Sequence, residues 1–297
     1  MSLILGIFEQ GLIYAILALG VYITYKILDF PDLSVDSSFP LGAAVTAVMI
    51  ANGAHPLLTL PVSLLAGALA GIVTGVIHVK FRVRDLLSGI ITMTALYSIN
   101  LGITGKANVP IFNMQTLFKN SLVTALPAAI RPYAPLAILI VLVALCKLAM
   151  DWYLSTKSGY LLRATGDNPQ VVTALAKDCG IVKIQGLAIA NALCALSGCI
   201  MCQHQRYFDI SMGTGTIVIA LASVIIGTNL FARSRFVRAT GAVIIGSIIY
   251  KACVAAALSA GLAPNNMKLI TAIFFLLILV LGQSKKRTSV HKTAASR

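Results

Sequence analysis

Apolar residues run along this chain in long continuous stretches, not in the alternation of a half-buried strand. A membrane-crossing helix needs about 20 mostly apolar residues. Stretches at 3–25, 56–79, 86–105, 133–150, 181–202, 214–230, 237–260 and 267–283 meet or approach that length. A further segment, 40–51, opens on Pro40 and is too short to cross alone. It predicts a broken or re-entrant helix, which survives at membrane depth only where protein or water covers it. The fold expected is all-α: a polytopic membrane helix bundle of about eight spanning helices plus the short one. Residues 1–284 form the membrane domain and 285–297 a basic tail. The first segment lacks the basic stretch and small-residue site of a cleavable signal, so it is read as a span.

Composition agrees. Of the 297 residues, 58% are hydrophobic and 11% charged, against roughly 45–50% and roughly 25% in soluble domains. A soluble enzyme is excluded, and a β-barrel would show ten-residue alternating segments instead. The net charge of +14 is explained by topology. Lys80, Arg82 and Arg84 share one short loop. Lys147, Lys157, Arg163, Lys177 and Lys183 belong to a second, and Arg233, Arg235 and Arg238 to a third. The tail adds Lys285, Lys286, Arg287, Lys292 and Arg297. Such loops face the cytoplasm, which places the C-terminus there and 106–132 outside; the short segment leaves the side of the N-terminus open. The tail has no aromatic interleaving, so nucleic acid is not an expected partner.

Chemistry-bearing clusters are few. Cys199 and Cys202 form a C-x-x-C with His204 nearby, but no second Cys/His pair has zinc-type spacing, so no metal is expected and the cysteines read as small packing residues. Gly67, Gly71 and Gly75, four apart, make a groove for a second helix backbone, in this subunit or another. Mid-span polar residues are functional candidates because lipid strands them: Asn100, Asn191 and Lys251, with Glu9 and Tyr97 nearer the margins. Lys251 has the alternative of snorkelling to the surface.

Between two spans lies R-A-T-G-D-N-P-Q-V-V-T-A-L-A-K-D-C-G, about 163–180. Asn168 is a good N-cap, Pro169 fits the first turn, Lys177 suits the last turn and Gly180 a left-handed stop. The pattern predicts a capped cytoplasmic helix of about ten residues, either an interfacial loop helix or a docking element. A second pattern recurs: Asp32-Leu33-Ser34-Val35 before 40–51, and Asp209-Ile210-Ser211-Met212 before 214–230. Their shared context suggests two related halves. It groups Asp32, Ser34, Asp36, Asp209 and Ser211, with Asn100, as a substrate pathway or outer gate; helix capping is the competing role of each Asp and Ser.

Four stretches then resemble the permease subunits of bacterial ABC importers, the ribose and branched-chain amino-acid permease superfamily. They are L-D-F-P-D-L-S-V-D-S-S-F-P-L-G-A-A-V (28–45), V-K-F-R-V-R-D-L-L-S-G-I-I-T (79–92), G-Y-L-L-R-A-T-G-D-N-P (159–169) through A-K-D-C-G-I (176–181), and M-G-T-G-T-I-V-I-A-L-A-S-V-I-I-G (212–227). The first looks most like permeases paired with tryptophan- and tyrosine-type binding proteins. The resemblance implies a transmembrane permease domain in the bacterial plasma (inner) membrane, forming the path for a small polar solute, an aromatic or branched-chain amino acid; a sugar or nucleoside is the alternative. It implies an extracytoplasmic binding protein, cytoplasmic ABC ATPase subunits and a second permease copy, a homodimer by default with a heterodimer of related permeases as the alternative. The ATPase-coupling residues carried over are Arg163, Ala164, Thr165, Gly166, Asp167, Asn168, Pro169, Lys177 and Gly180. Where the family has a Gly pair, this chain has Gly166-Asp167.

The chain itself holds no cofactor in this reading. Gly102-Ile103-Thr104-Gly105-Lys106-Ala107 lacks the spacing and hydroxyl of G-x-x-x-x-G-K-S/T, so ATP and Mg²⁺ belong to the partner ATPase. No nucleophile–base pair or metal cluster points to an enzyme. An ion-coupled secondary transporter is the rival class, and it would favour a buried central carboxylate; Glu9, near a span end, is the one acid within an expected span.

Overall fold

The computed structural model describes residues 2–125, 127, 130–231 and 238–259, with isolated positions at 269, 272, 273 and 276. The chain orders as α1 (Ser2–Val21), a π-helical turn (Tyr22–Ile27), α2 (Val35–Ala51), α3 (Thr59–Lys80), α4 (Asp85–Thr104), β1 (Asn108–Pro110), α5 (Ser121–Thr124), α6 (Ala134–Leu154), α7 (Lys157–Asp167), α8 (Pro169–Ala174), α9 (Cys179–Gln205), β2 (Tyr207–Asp209), α10 (Thr216–Leu230) and α11 (Ala239–Ser259). Among the described residues, seven helices are long and apolar enough to cross a membrane, and α2 is a shorter apolar helix. The expected segment 267–283, the tail 285–297, and Arg233 and Arg235 lie wholly or mostly outside the described residues.

α9 is the axis of the bundle, packed by α1, α2 and α3. Small residues allow this. A Cβ on Gly67 would meet the Asn191 carbonyl, on Gly71 that of Leu187, and on Gly75 the Ile184 backbone. The glycine groove of α3 therefore receives α9 of the same subunit. On α9 itself, Gly198 meets the Phe39 carbonyl of α2. Close backbone approach replaces the hydrophobic drive that lipid does not supply.

The two ends of the bundle differ. At one, β1 pairs antiparallel with β2, Asn108 opposite Asp209 and Pro110 opposite Tyr207; we call it the hairpin end. The other carries the α3–α4 turn with Lys80, Arg82 and Arg84, and the α7–α8 segment; this is the basic end. α1 starts at the hairpin end, where the Glu9 carboxylate meets His204 Nε2 at 3.0 Å. It arrives at the basic end, where the Ile27 carbonyl lies against Gly166.

Two expectations are corrected. The short helix does not start at Pro40: α2 begins at Val35 and carries Pro40 inside it. Proline cannot donate to the carbonyl four residues back, and that carbonyl, of Asp36, is turned against Gly213, where any Cβ would collide. The cytoplasmic helix opens at Asn168 and Pro169 as expected but runs six residues instead of about ten. α7 runs to Asp167, and Asn168 opens the six-residue α8 by accepting the Gln170 N–H at 3.0 Å. α8 stops in a left-handed turn at Ala176 (φ 55°), with Lys177 N–H returning to Val172 and Ala176 N–H to Thr173. Lys177 thus lies beyond the helix. Gly180 is the second residue of α9, because Asp178 caps that helix through the Gly180 N–H at 2.7 Å. An aspartate N-cap outcompeted the glycine stop.

Candidate functional site

The two D-x-S patterns fold into the same turn. Asp32 Oδ1 accepts the Ser34 N–H at 2.9 Å and its hydroxyl at 2.6 Å. Asp209 Oδ1 accepts the Ser211 N–H at 2.8 Å and likewise its hydroxyl. Each turn leads into a helix, and the helices run oppositely: α2 toward the hairpin end, where Ala47 and Ile50 join Phe208 in one cluster, and α10 away from it, toward Ala242 of α11. Opposite sense in matching segments is the signature of inverted halves.

Their settings differ, and the expected single outer group divides. Asp32 and Ser34 are buried. Asn191 of α9 donates to Asp32 Oδ2 at 2.8 Å and to the Leu187 carbonyl at 3.1 Å; its own Oδ1 accepts the Ser38 hydroxyl at 2.6 Å. This network is satisfied at every Asn191 site, as a polar group at membrane depth requires. Asp36 caps α10: it accepts the N–H groups of Gly215 and Ile217 at 3.0 and 2.8 Å and the Thr216 hydroxyl at 3.0 Å. Asn100 donates to the Ser37 carbonyl at 3.0 Å, tying α4 to α2. Only Asp209 and Ser211 reach the hairpin-end cavity. There the Ser211 hydroxyl, helped by the Ser211 N–H and Asn108, holds the Asp209 carboxyl below its ordinary range against the opposing effect of burial.

That cavity, about 360 Å³, is lined by Tyr14, Phe39, Met201, Tyr207, Asp209 and Ser211 among others. The Tyr14 and Phe39 rings are nearly parallel with centroids 6.1 Å apart. Behind Tyr14 stands Lys251 of α11, its ammonium 3.9 Å from the ring centroid and 3.5 Å from Gln10 Oε1. Lys251 does not snorkel; it is buried, and among the described residues it forms no salt bridge. The ring supplies an electrostatic partner that a carboxylate otherwise would. The sequence reading missed Tyr14, Phe39 and Tyr207, because an aromatic in an apolar span carries no periodic mark of facing a cavity. Tyr97, by contrast, is exposed on the outside of α4.

At the basic end Arg163 is exposed and rests over the Tyr160 ring at 5.9 Å. Asp167, Asn168 and Pro169 are exposed, Ala164 and Gly166 half-buried, and Thr165 buried with its hydroxyl on the Leu161 carbonyl. Beside them Asp151, also missed, pairs with Lys147 one turn back on α6 at 2.7 Å and joins α6 to α11 by accepting from the Thr240 hydroxyl at 2.6 Å. The Lys147–Asp151 spacing of four was a readable signal. The C-x-x-C holds no metal cluster: among the described residues no group of three or more His, Cys, Asp or Glu could bind one. Cys199 instead contacts Thr59, and His204 turns to Glu9.

Comparison with known proteins completes the picture. Residues 3–281 match the family described as branched-chain amino acid transport system, permease component. The chain is 43% identical to a tyrosine transport system permease protein of Clostridioides difficile over 97% of this chain and 95% of that one. It is 30% identical to the ribose import permease protein of Haemophilus influenzae over 82% of this chain and 75% of the other. In fold it resembles PsaBC from Streptococcus pneumoniae, with a TM-score of 0.52 at 14% identity, covering 92% and 89% of the two chains. A bundle of apolar spans built on two inverted D-x-S turns, matched to one family along nearly its whole length, belongs to the branched-chain amino acid transport system permease components: it is a multi-pass membrane subunit of an ABC transporter.

Proposed function

We propose that this chain forms the translocation path of an ATP-driven importer for an aromatic amino acid. The observation that carries the substrate class is the hairpin-end cavity. It offers the rings of Tyr14, Phe39 and Tyr207 to an aromatic side chain and the Asp209 carboxylate to an α-ammonium group. Its volume lies within the roughly 300–1,000 Å³ of small-molecule sites, and the 43% identical relative carries tyrosine in its name. The more distant ribose permease supports a sugar as the second reading.

In this proposal the basic end faces the cytoplasm, since Lys80, Arg82, Arg84, Arg163 and Lys177 gather there, and the C-terminus lies on the same side. The hairpin end receives substrate from a soluble binding protein. A separate ATPase binds ATP and Mg²⁺; this chain takes no part in hydrolysis and is not an enzyme. Two copies, or this chain and a related permease, enclose the path. The residues about 163–180 dock the ATPase. Movement of α7 is passed on at Gly166, which lies on the Ile27 carbonyl. From there it reaches the buried turn with Asp32, and through Asn191 the axis helix α9. Asp36 then links the start of α2 to the start of α10. π-helical segments such as Tyr22–Ile27 recur at functional sites.

The test is uptake into liposomes holding this chain, its ATPase and its binding protein. Labelled tyrosine, phenylalanine, leucine and ribose are each offered with and without internal ATP. ATP-dependent uptake of tyrosine or phenylalanine above leucine is the expected result. Preference for ribose overturns the substrate class, and uptake driven by an ion gradient without ATP overturns the importer.

A further inference from the structure

The basic end holds a second cavity, about 490 Å³, between the α3–α4 turn and the start of α9. His78, Arg82, Arg84 and Lys183 line it, with Asp85 as the acid among its described lining. The salt bridges among the described residues involve none of Arg82, Arg84 and Lys183. Lys183 is held in place by His78. The Val83 carbonyl, 2.9 Å from His78 Nδ1, can only accept, so Nδ1 carries the proton there. Nε2 is then the acceptor for the Lys183 ammonium at 3.3 Å. The α9 terminus is already capped by Asp178, so the positive character of the cavity comes from side chains. A second, independent feature adjoins it. Phe81, Leu86, Leu87 and Ile181, chain neighbours of the lining residues, are 73%, 45%, 49% and 54% exposed. They sit at the ends of spans, where acyl chains meet headgroups.

We infer that this cavity binds a phosphate-bearing anion, and that its source is the headgroup of an anionic phospholipid whose acyl chains lie on the exposed apolar flank. Cations set between membrane helices, next to apolar side chains, fit that chemistry on both counts. Arg82 and Arg84 suit a phosphate through their planar donor forks, and Lys183 as a point charge. The site bears on the interior of the bundle: His78 meets the ring of Phe30 edge-on at 5.1 Å, and Phe30 belongs to the buried turn that carries Asp32. This inference needs only a membrane protein and does not rest on the substrate or on the ATPase.

The experiment is native mass spectrometry of the full chain purified in mild detergent with phosphatidylglycerol or phosphatidylcholine of the same acyl chains. Wild type is expected to retain phosphatidylglycerol selectively. The variant Arg82→Gln/Arg84→Gln/Lys183→Gln is expected to lose that preference by tenfold or more, at roughly fivefold per basic residue. Lys183→Gln alone, with its melting profile compared with wild type, serves if the triple variant does not fold, and should lower retention several-fold. Lys106→Gln/Lys119→Gln, outside the basic end, should leave retention unchanged. Equal retention of the two lipids by wild type, or wild-type retention by the cavity variants, overturns the site. Protection of the chain by millimolar inorganic phosphate, without selectivity for phosphatidylglycerol, assigns the cavity to a soluble anion and overturns the lipid.

Discussion

Asp32 and Asn191 stand 159 residues apart in the chain and 2.8 Å apart in the bundle, and between them they join the buried turn before α2 to the axis helix. Removing Asp32 strands its buried donors, and an unsatisfied buried polar group costs about 1–3 kcal/mol. Asp32→Ala leaves the Ser34 N–H and one Asn191 amide hydrogen without an acceptor. The expected result is destabilisation of about 3 kcal/mol, read as a lowered melting temperature in detergent. Asp32→Asn keeps the acceptor for Ser34 but sets amide against amide at Asn191, so its loss should fall between wild type and alanine. A melting temperature unchanged in Asp32→Ala would remove the network from the account of the fold.

In the proposed mechanism Gly166 and Arg163 separate coupling from docking. The Cα side of Gly166 faces the Ile27 carbonyl so closely that any Cβ requires movement. Gly166→Val is therefore expected to lower stability by about 1–3 kcal/mol and to reduce uptake per ATP hydrolysed while the ATPase still binds. Arg163→Glu should act oppositely. The side chain is exposed, so stability should stay within about 0.5 kcal/mol, but ATPase association should weaken. Co-purification of the ATPase with each variant, beside coupled uptake, distinguishes the two; normal association in Arg163→Glu would exclude this residue from docking.

The contrast between those residues marks what was legible in the sequence. Spans were readable because apolar length is a direct consequence of bilayer thickness. The recurrence of Asp-x-Ser was readable, and the turns proved alike, since an Asx turn is set by residues two apart. Their environment was not. That Asp32 is buried with Asn191 while Asp209 stays half-buried beside Asn108 rests on partners more than 100 residues away from each. The limits of α8 failed for a local reason: two capping signals competed, and Asp178 prevailed over Gly180. The start of α2 failed for a tertiary one, because the carbonyl that Pro40 leaves free is accommodated by a glycine from the other half of the chain.

Acid should loosen the hairpin end. Asp209 has a folded-state pKa below its ordinary value, owing first to the Ser211 hydroxyl. A depressed carboxylate contributes stability that is fully present above the unfolded value of about 3.9 and is lost as pH falls through the folded value. The turn at 209–211 and its link to Asn108 should therefore be intact at neutral pH and weaken only below about pH 4. Because the group is largely solvated, the change should be confined to this turn. Protection factors at Ser211 and Val109, corrected for the intrinsic pH dependence of exchange, are expected to fall there in wild type. Asp209→Asn keeps an acceptor for Ser211 but cannot titrate, so its protection should not step with acid; an acid step that persists in that variant would assign the transition to another group.

Lys251 gives the sharpest test of the cavity wall. A buried ammonium over the Tyr14 ring gains about 0.5–2 kcal/mol from the ring, less than desolvation of an ammonium costs. Fold stability alone therefore does not explain a lysine here. Lys251→Met, similar in length and apolar, should raise the melting temperature or leave it unchanged. Tyr14→Phe keeps the ring face and should resemble wild type in stability; Tyr14→Ala should lower it. If the charge serves the cavity, Lys251→Met will melt no lower than wild type yet take up substrate more slowly, with the defect in apparent affinity for the substrate-loaded binding protein or in turnover. Melting and uptake measured on the same preparations decide this. A variant that is both less stable and fully active would mean that Lys251 holds α11 to α1 through Gln10 and Tyr14 and has no role in transport.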